Sequence, residues 1–263
     1  MFEIAWNFAT LLTLGVLTCA FLMALDLIWL KPRRLLSVKK NTPWLIMQAE
    51  AIFPVLLLVL CVRSFLVEPF RIPSGSMKPG LLEGDFILVN KYAYGIRLPL
   101  LGTKVVSVGA LKRGDVVVFH APFNISEDFI KRVVGLPGDT IEYKHKTLYI
   151  NGQPQLQTDD GVDYDLELHG QSYTVQKKTE RFTNGIEHTL FIRPHVVGQD
   201  IPAFLVPQNE YFMLGDNRDN SRDSRFWGLV KDKYVVGKAV RIWMSWDTID
   251  KKIRMGRIGK KIE

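Results

Sequence analysis

Phe129-Ile130-Lys131-Arg132-Val133-Val134-Gly135-Leu136-Pro137-Gly138-Asp139 decides the fold class of this 263-residue chain. A short run rich in β-branched and apolar residues ends in a Gly/Pro/Asp turn, and no 3.6-residue apolar repeat carries on beyond it. The same grammar recurs from Glu68 onward. Phe86 to Val89 follows Glu83-Gly84-Asp85, and Val116 to Phe119 follows Lys112-Arg113-Gly114-Asp115. Ile141 to Tyr143 and Leu148 to Ile150 flank Lys144 to Thr147, a hairpin turn. Tyr211 to Leu214 and Val235 to Met244 come late. With no convincing amphipathic helix among them, these runs predict a mainly β body over residues 68–263.

Residues 151–207 break the pattern. They are more polar and hold Asp159, Asp160, Asp163, Asp165 and Glu167 with several Gln. They read as an inserted subdomain rather than a site.

Upstream of the body the composition changes. The chain is 47% hydrophobic, yet mean hydropathy is only +0.06, so the apolar residues are concentrated locally. Ile4 to Leu25 carries no charge over 22 residues, and about 20 helical residues cross a bilayer. A cleaved leader fits poorly: the run is long, no Lys or Arg precedes it, and Asp26 and Trp29 follow. A second run, Trp44 to Val67, contains Glu50, Arg63 and a kinking Pro54. The expectation is a membrane anchor over 1–67, with helices at about 4–28 and 45–66. Lys31, Arg33, Arg34, Lys39 and Lys40 lie between them with no acidic residue, which places that loop in the cytoplasm and the body outside it. Trp6, Trp29 and Trp44 fall near the boundaries, as an aromatic belt would place them.

Net charge is +7. The basic clusters lack the interleaved aromatics of a nucleic-acid platform, so no nucleic acid is expected. For the tail from Lys251 to Lys261 the ordinary reading is a solvated end; attraction to anionic lipid is the sharper one. Trp243 and Trp246 read as strand core. Cys19 and Cys61 both sit in the apolar runs, which leaves the body without a disulfide, a thiol nucleophile or a cysteine metal site.

Ile72-Pro73-Ser74-Gly75-Ser76-Met77-Lys78-Pro79 puts two serines among small residues and prolines. It is either a polar turn leaving the membrane or a tightly held loop displaying a nucleophile. In the second case the Ser76 N–H and the Ser74 hydroxyl are candidate oxyanion donors. A serine needs a base in reach. His120, His145, His169, His188 and His195 lie in no Gly-x-Ser-x-Gly or HExxH setting. Lysine serves when it is neutral, and apolar burial makes it so. Lys131, in an apolar strand, meets that requirement; period 2 sets it on a face with Phe129 and Val133. Arg132 takes the other face and stays protonated. A strand lysine with its head in solvent is the ordinary alternative. Lys78 is the rival base, next to Pro79 and Gly80 and expected to be exposed.

Gly215-Asp216-Asn217-Arg218-Asp219-Asn220-Ser221-Arg222-Asp223-Ser224-Arg225 is dense in turn formers. A calcium loop lacks its central Gly and closing Glu. The run reads as a structural turn, or as support in which Ser221 holds the lysine amine.

Together with Gly84 to Val89 and Lys112 to Phe119, these segments resemble bacterial type I signal peptidase, also called leader peptidase. They occur in that family's order, and the resemblance spans roughly residues 43–246 plus the anchor. It implies a large antiparallel β catalytic domain with a smaller β insertion, behind two transmembrane helices. It further implies a serine endopeptidase that removes signal peptides after Ala-x-Ala sites. Ser76 is then the nucleophile and Lys131 the base; Ser74 joins the oxyanion hole, and Ser221, Asp223 and Arg225 support the site. Phe70, Ile72, Met77, Leu81, Ile87, Phe129 and Ile130 match the shallow apolar subsites. The implied partners are preproteins and membrane lipids, in a bacterial inner membrane with the body on the periplasmic side. No cofactor or metal is implied. Larger members carry a disulfide in the insertion, where this chain has no cysteine. The nearest rival is the self-cleaving repressor class of Ser–Lys proteases, which carries a DNA-binding head instead of spans. A membrane-tethered β module that binds envelope proteins is the non-enzyme rival.

Overall fold

A computed structural model describes residues 8–35, 42–97, 104–166 and 171–263. Ile4, Trp6, Lys39, Lys40, Glu167 and His169 lie outside the described residues. The chain forms two compact units, the helices before Val67 and the β body from Glu68.

In the first unit, helix Phe8–Leu25 continues through a π turn at Asp26–Leu30 into Lys31–Leu35. The helical path thus runs past residue 28 and carries Lys31, Arg33 and Arg34, which the sequence reading had put in a loop. The buried Asp26 carboxylate accepts from Arg34 Nη2 at 2.5 Å, so one charge is neutralised two turns on. The second helix, Trp44–Cys61, starts where Pro43 presents a free carbonyl to Ile46 and Met47. It passes through a π turn at Val62–Leu66 into strand Val67–Arg71. Gly15 lies against Leu56, where the two helices meet. Most of their apolar side chains, including Leu17, Phe21, Leu45 and Leu58, point outward. Both helices are long and apolar enough to cross a membrane.

The body is mainly antiparallel β, as expected. Its large sheet runs Val67–Arg71, Asp85–Asn90, Val235–Asp247, Val116–Ala121, Asn124–Gly135, Glu210–Leu214 and Val230–Lys231, with Lys252–Ile253 added beside Val235–Asp247. The one four-residue α-turn described in the body is Ser224–Trp227. Strand Asn124–Gly135 is exposed in its first half and buried from Ile130 onward. That change has a structural cause: three apolar cores meet on it. Ile130 packs with Ile72, Met77, Leu81 and Ile87; Val133 with Val117, Phe119 and Met213; Val134 with Ile141, Tyr143 and Phe212. Neighbouring strands flank it on both sides, pairing Lys131 with Val117 and Arg132 with Leu214.

Residues 151–207 are more regular than their sequence reads. Leu156–Leu166, Ser172–Arg181 and Glu187–Ile192 form a three-stranded antiparallel sheet. The first of these strands is exposed on both faces along most of its length. Nothing then selects an alternating pattern, which is why its sequence looks unpatterned. Ile201–Leu205 pairs with Thr140–Lys144, in a second sheet that also takes in Gln153–Pro154 and so includes strands from both ends of the insert. In that sheet His145 and Lys146 turn the hairpin with φ of 49° and 62°, the left-handed pair a two-residue turn requires.

One surface expectation is corrected and another refined. Trp243 and Trp246 are 43% and 36% exposed rather than core, with Trp243 edge-on to Phe86. The basic tail is solvent-exposed at Lys251, Lys252, Lys260 and Lys261, as read, but two of its arginines are engaged: Arg257 reaches the buried Asp85 carboxylate at 2.6 Å, and Arg254 reaches Asp247 at 3.0 Å.

Candidate active site

Between strands Val67–Arg71 and Asp85–Asn90 the chain makes a compact loop. Ile72, Met77 and Leu81 drop into the core and hold the loop from below. Backbone bonds from Lys78 N to Gly75 O and from Leu81 N to Met77 O close it. Ser76 sits in this loop, 7% exposed, and Ser74 is exposed two residues earlier.

Lys131 reaches it from the strand. Its Nζ lies 2.5 Å from Ser76 Oγ, donates to the Ile130 carbonyl at 3.0 Å, and stands 5.6 Å over the Phe129 ring. The side chain is 2% exposed. Burial lowers its pKa from 10.5 to about 8; Asp223 and Asp216 pull upward, and Arg225 pushes down. Neither carboxylate acts as a bare charge. Asp223 takes both bonds of a bidentate pair with Arg225 at 2.8 Å, and Asp216 does the same with Arg132 at 2.8 Å. The site therefore holds, against a hydroxyl, an amine whose pKa burial has lowered to about 8.

The Gly215–Arg225 run closes the opposite side. Asn217 N–H donates to the Ser76 carbonyl at 3.1 Å. A Cβ on Gly215 would stand 2.5 Å from that same carbonyl and 2.1 Å from Ser221 Oγ, so only glycine fits this contact. Asp223 accepts from Gly215 N–H and caps the Ser224–Trp227 turn. Ser221 is buried beside Gly215, but its Oγ makes no hydrogen bond. The expected bond from Ser221 to the Lys131 amine is absent in this state.

Lys78 is not exposed, contrary to the sequence reading. It is 5% exposed, with Nζ 3.0 Å from Asp165 Oδ1, 2.6 Å from the Leu166 carbonyl and 3.4 Å from Glu83. Its neighbours Pro79 and Gly80 suggested an open turn; the insert covers it. His120 pairs with Asp128 on the surface, and His188 is buried near Glu180 and Asp216.

Of the residues matched to subsites, Phe70, Ile72, Met77, Leu81, Ile87 and Ile130 share one core cluster. Phe129 faces a different one, with Phe119 and Trp227. Met77 and Leu81 also line a cavity of about 340 Å³ that neither Ser76 nor Lys131 borders. Sequence reasoning missed Asp165, taken as part of a polar insert, and gave no role to Asp216 or Asn217. Those two stood inside the quoted turn motif; Asp165 carried no local signal.

A serine hydroxyl held against a buried amine of lowered pKa, on an antiparallel β scaffold, is an arrangement that serine hydrolase chemistry can use. The family model for signal peptidase, peptidase S26, matches residues 45–244. The signal peptidase I of Pseudomonas aeruginosa is 42% identical over 277 aligned positions, covering 91% of this chain and 93% of that protein. That of Haemophilus influenzae is 37% identical over 246 positions, covering 74% and 68%. A solved signal peptidase I from Enterococcus faecalis matches 50% of this chain and 98% of its own, at 30% identity and a TM-score of 0.32. The chain belongs to the signal peptidase family, peptidase S26, and is a serine peptidase of signal-peptide processing.

Proposed function

We propose that this chain is a membrane-anchored endopeptidase that removes N-terminal signal peptides, with Ser76 as nucleophile and neutral Lys131 as general base. The observation that carries this reading is the 2.5 Å separation of Lys131 Nζ and Ser76 Oγ, with the amine buried and its pKa lowered to about 8. When the amine is neutral, its lone pair accepts the hydroxyl proton as Oγ attacks the scissile carbonyl. The oxyanion that forms is held by the Ser76 N–H and the Ser74 hydroxyl. Collapse breaks the C–N bond, and the Lys131 ammonium returns its proton to the leaving amine. Water, deprotonated by the same amine, then hydrolyses the acyl-serine ester. No step is routed through a metal or cofactor.

Asp223 and Arg225 hold the far side of the site, and Ser221 buttresses Gly215 against the Ser76 carbonyl. Cleavage follows small residues in an Ala-x-Ala pattern, because shallow apolar subsites over the Ile72, Met77, Leu81, Ile87 and Ile130 cluster, with Phe70 and Phe129, exclude large side chains by clash. The two apolar helices span a bacterial inner membrane. The basic residues between them face the cytoplasm, and the body stands on the periplasmic side among membrane lipids. Preproteins emerging on that side are the substrates proposed. The domain division proposed is an anchor over 1–67 and a catalytic body over 68–263 with the insert at 151–207.

The test uses purified full-length protein in detergent with a preprotein bearing an Ala-x-Ala site, its products read by mass spectrometry. The wild type is expected to cut after the second Ala; Ser76→Ala and Lys131→Met are expected to be inert. Cleavage by Ser76→Ala at the wild-type rate overturns the proposal.

A further inference from the structure

The insert reaches the nucleophile loop through the Leu166 carbonyl, which accepts from Lys78, and through one carboxylate. Asp165, at the end of strand Leu156–Leu166, is 1% exposed. Its Oδ1 accepts from Lys78 Nζ at 3.0 Å; its Oδ2 accepts from Asn217 Nδ2 at 2.9 Å and from Arg193 Nη2 at 3.1 Å. Asn217 in turn donates through Nδ2 to the Gly75 carbonyl at 3.1 Å, and through its backbone N–H to the Ser76 carbonyl at 3.1 Å.

The side-chain amide of Asn217 thus faces two acceptors, a carboxylate and a peptide carbonyl. Only its NH₂ end can satisfy both, and flipping it would set oxygen against oxygen. Its Oδ1 accordingly has no partner. In a trans peptide the N–H points away from the C=O. Fixing the Gly75 carbonyl therefore aims the Ser76 N–H, and fixing the Ser76 carbonyl sets the next plane. Lys78, tied to Asp165, anchors the loop two residues further on.

We propose that Asp165 is a positioning residue: through Asn217 and Lys78 it fixes the two peptide planes that flank Ser76. This rests on Ser76 being the nucleophile. A loop displaced by about an ångström loses on the order of 10²-fold in turnover while still binding substrate.

The experiment compares full-length Asp165→Ala, Asn217→Ala, the double variant and Ser76→Ala on the same preprotein, with kcat, KM and the pH dependence of kcat/KM. Asp165→Ala takes a carboxylate away from Lys78 and Arg193 and risks misfolding; Asn217→Ala removes no charge and decides the matter if it does. Expected are kcat losses of about 10²-fold in each, with KM within about threefold and the pH midpoint unmoved. The midpoint is expected to hold because its largest causes are burial, Asp223, Asp216 and Arg225. The double variant should fall no further than the worse single one, since the two act as one unit. Wild-type kcat in Asn217→Ala, additive losses, or a loss confined to KM would overturn the proposal. Activity in Ser76→Ala would instead sink the assignment of the nucleophile, whatever Asp165 does.

Discussion

The amine of Lys131 lies 2.5 Å from the hydroxyl oxygen of Ser76, although 55 positions separate them in the chain. The contact joins a loop pinned by three apolar side chains to a strand on which three cores converge. Convergence of cores removes water from the amine, and loss of water lowers its pKa. The reactivity proposed for Ser76 therefore rests on packing around a neighbour.

Activity should follow the neutral amine. Below about 8 Lys131 is protonated and cannot accept the serine proton. kcat/KM is expected to rise with pH through about 8 and then level off, and to be unaffected by chelators. Lys131→Met should lose at least about 10³-fold. Lys78→Ala should slow the reaction by loosening the loop yet keep the same midpoint; loss of that alkaline rise in Lys78→Ala would mean the base was misassigned.

The Asp223–Arg225 pair allows the midpoint to be moved both ways. Asp223 raises the Lys131 pKa and Arg225 lowers it. Asp223→Asn removes an anion and leaves Arg225 uncompensated, so the midpoint should fall. Arg225→Met does the reverse, and the midpoint should rise. A shift of about one pH unit either way is the expected scale. Both variants break a buried pair and should lose about 3–5 kcal/mol of stability in denaturant titrations. Shifts of the same sign in both would contradict the electrostatic account.

Lys131 should also limit stability near neutral pH. Below about 8 the folded protein carries a buried ammonium, and between about 8 and 10.5 only the unfolded chain binds that proton. Stability therefore rises with pH across that window. The full effect is on the order of 3 kcal/mol. Lys131→Met, apolar and similar in length, should raise Tm at pH 7 and flatten its pH dependence. A lower Tm for the variant at pH 7 would argue that the amine is not buried charged at that pH.

Gly215→Ala tests how tightly the turn is packed on the nucleophile loop. Its new Cβ would overlap Ser221 Oγ and the Ser76 carbonyl. Turnover is expected to drop on the order of 10²-fold, with a loss of about 1–3 kcal/mol in stability. Wild-type kinetics would show that the loop yields without consequence.

Topology can be read by labelling. Val197 is 95% exposed in the body, so Val197→Cys should react with an impermeant maleimide in intact spheroplasts. Lys40→Cys should react only after lysis, as the positive loop predicts. The opposite pattern would invert the proposed orientation.

Much of the body was legible because half-buried strands announce themselves. Phe86 to Val89 is a short apolar run after a Gly-Asp turn and Ile141-Glu142-Tyr143 alternates, and each lies within an observed strand. The strand Leu156–Leu166 was not legible, since neither face is selected for burial over most of its length. Lys78 misled for a related reason: its neighbours are turn formers, but a distant strand folds over it. Trp243 looked like core by residue type, yet the sheet leaves that face open.

By itself the sequence determined the apolar runs, the β grammar of the body and the residues able to do the chemistry, because each is a matter of residue type and near-neighbour spacing. It offered two lysines and, through the resemblance, favoured Lys131. The tertiary structure decided their surroundings, giving Lys78 ion partners and burying Lys131 beside a hydroxyl. Basicity depends on solvent and charge within a few ångströms, and those are supplied by segments far apart in the chain.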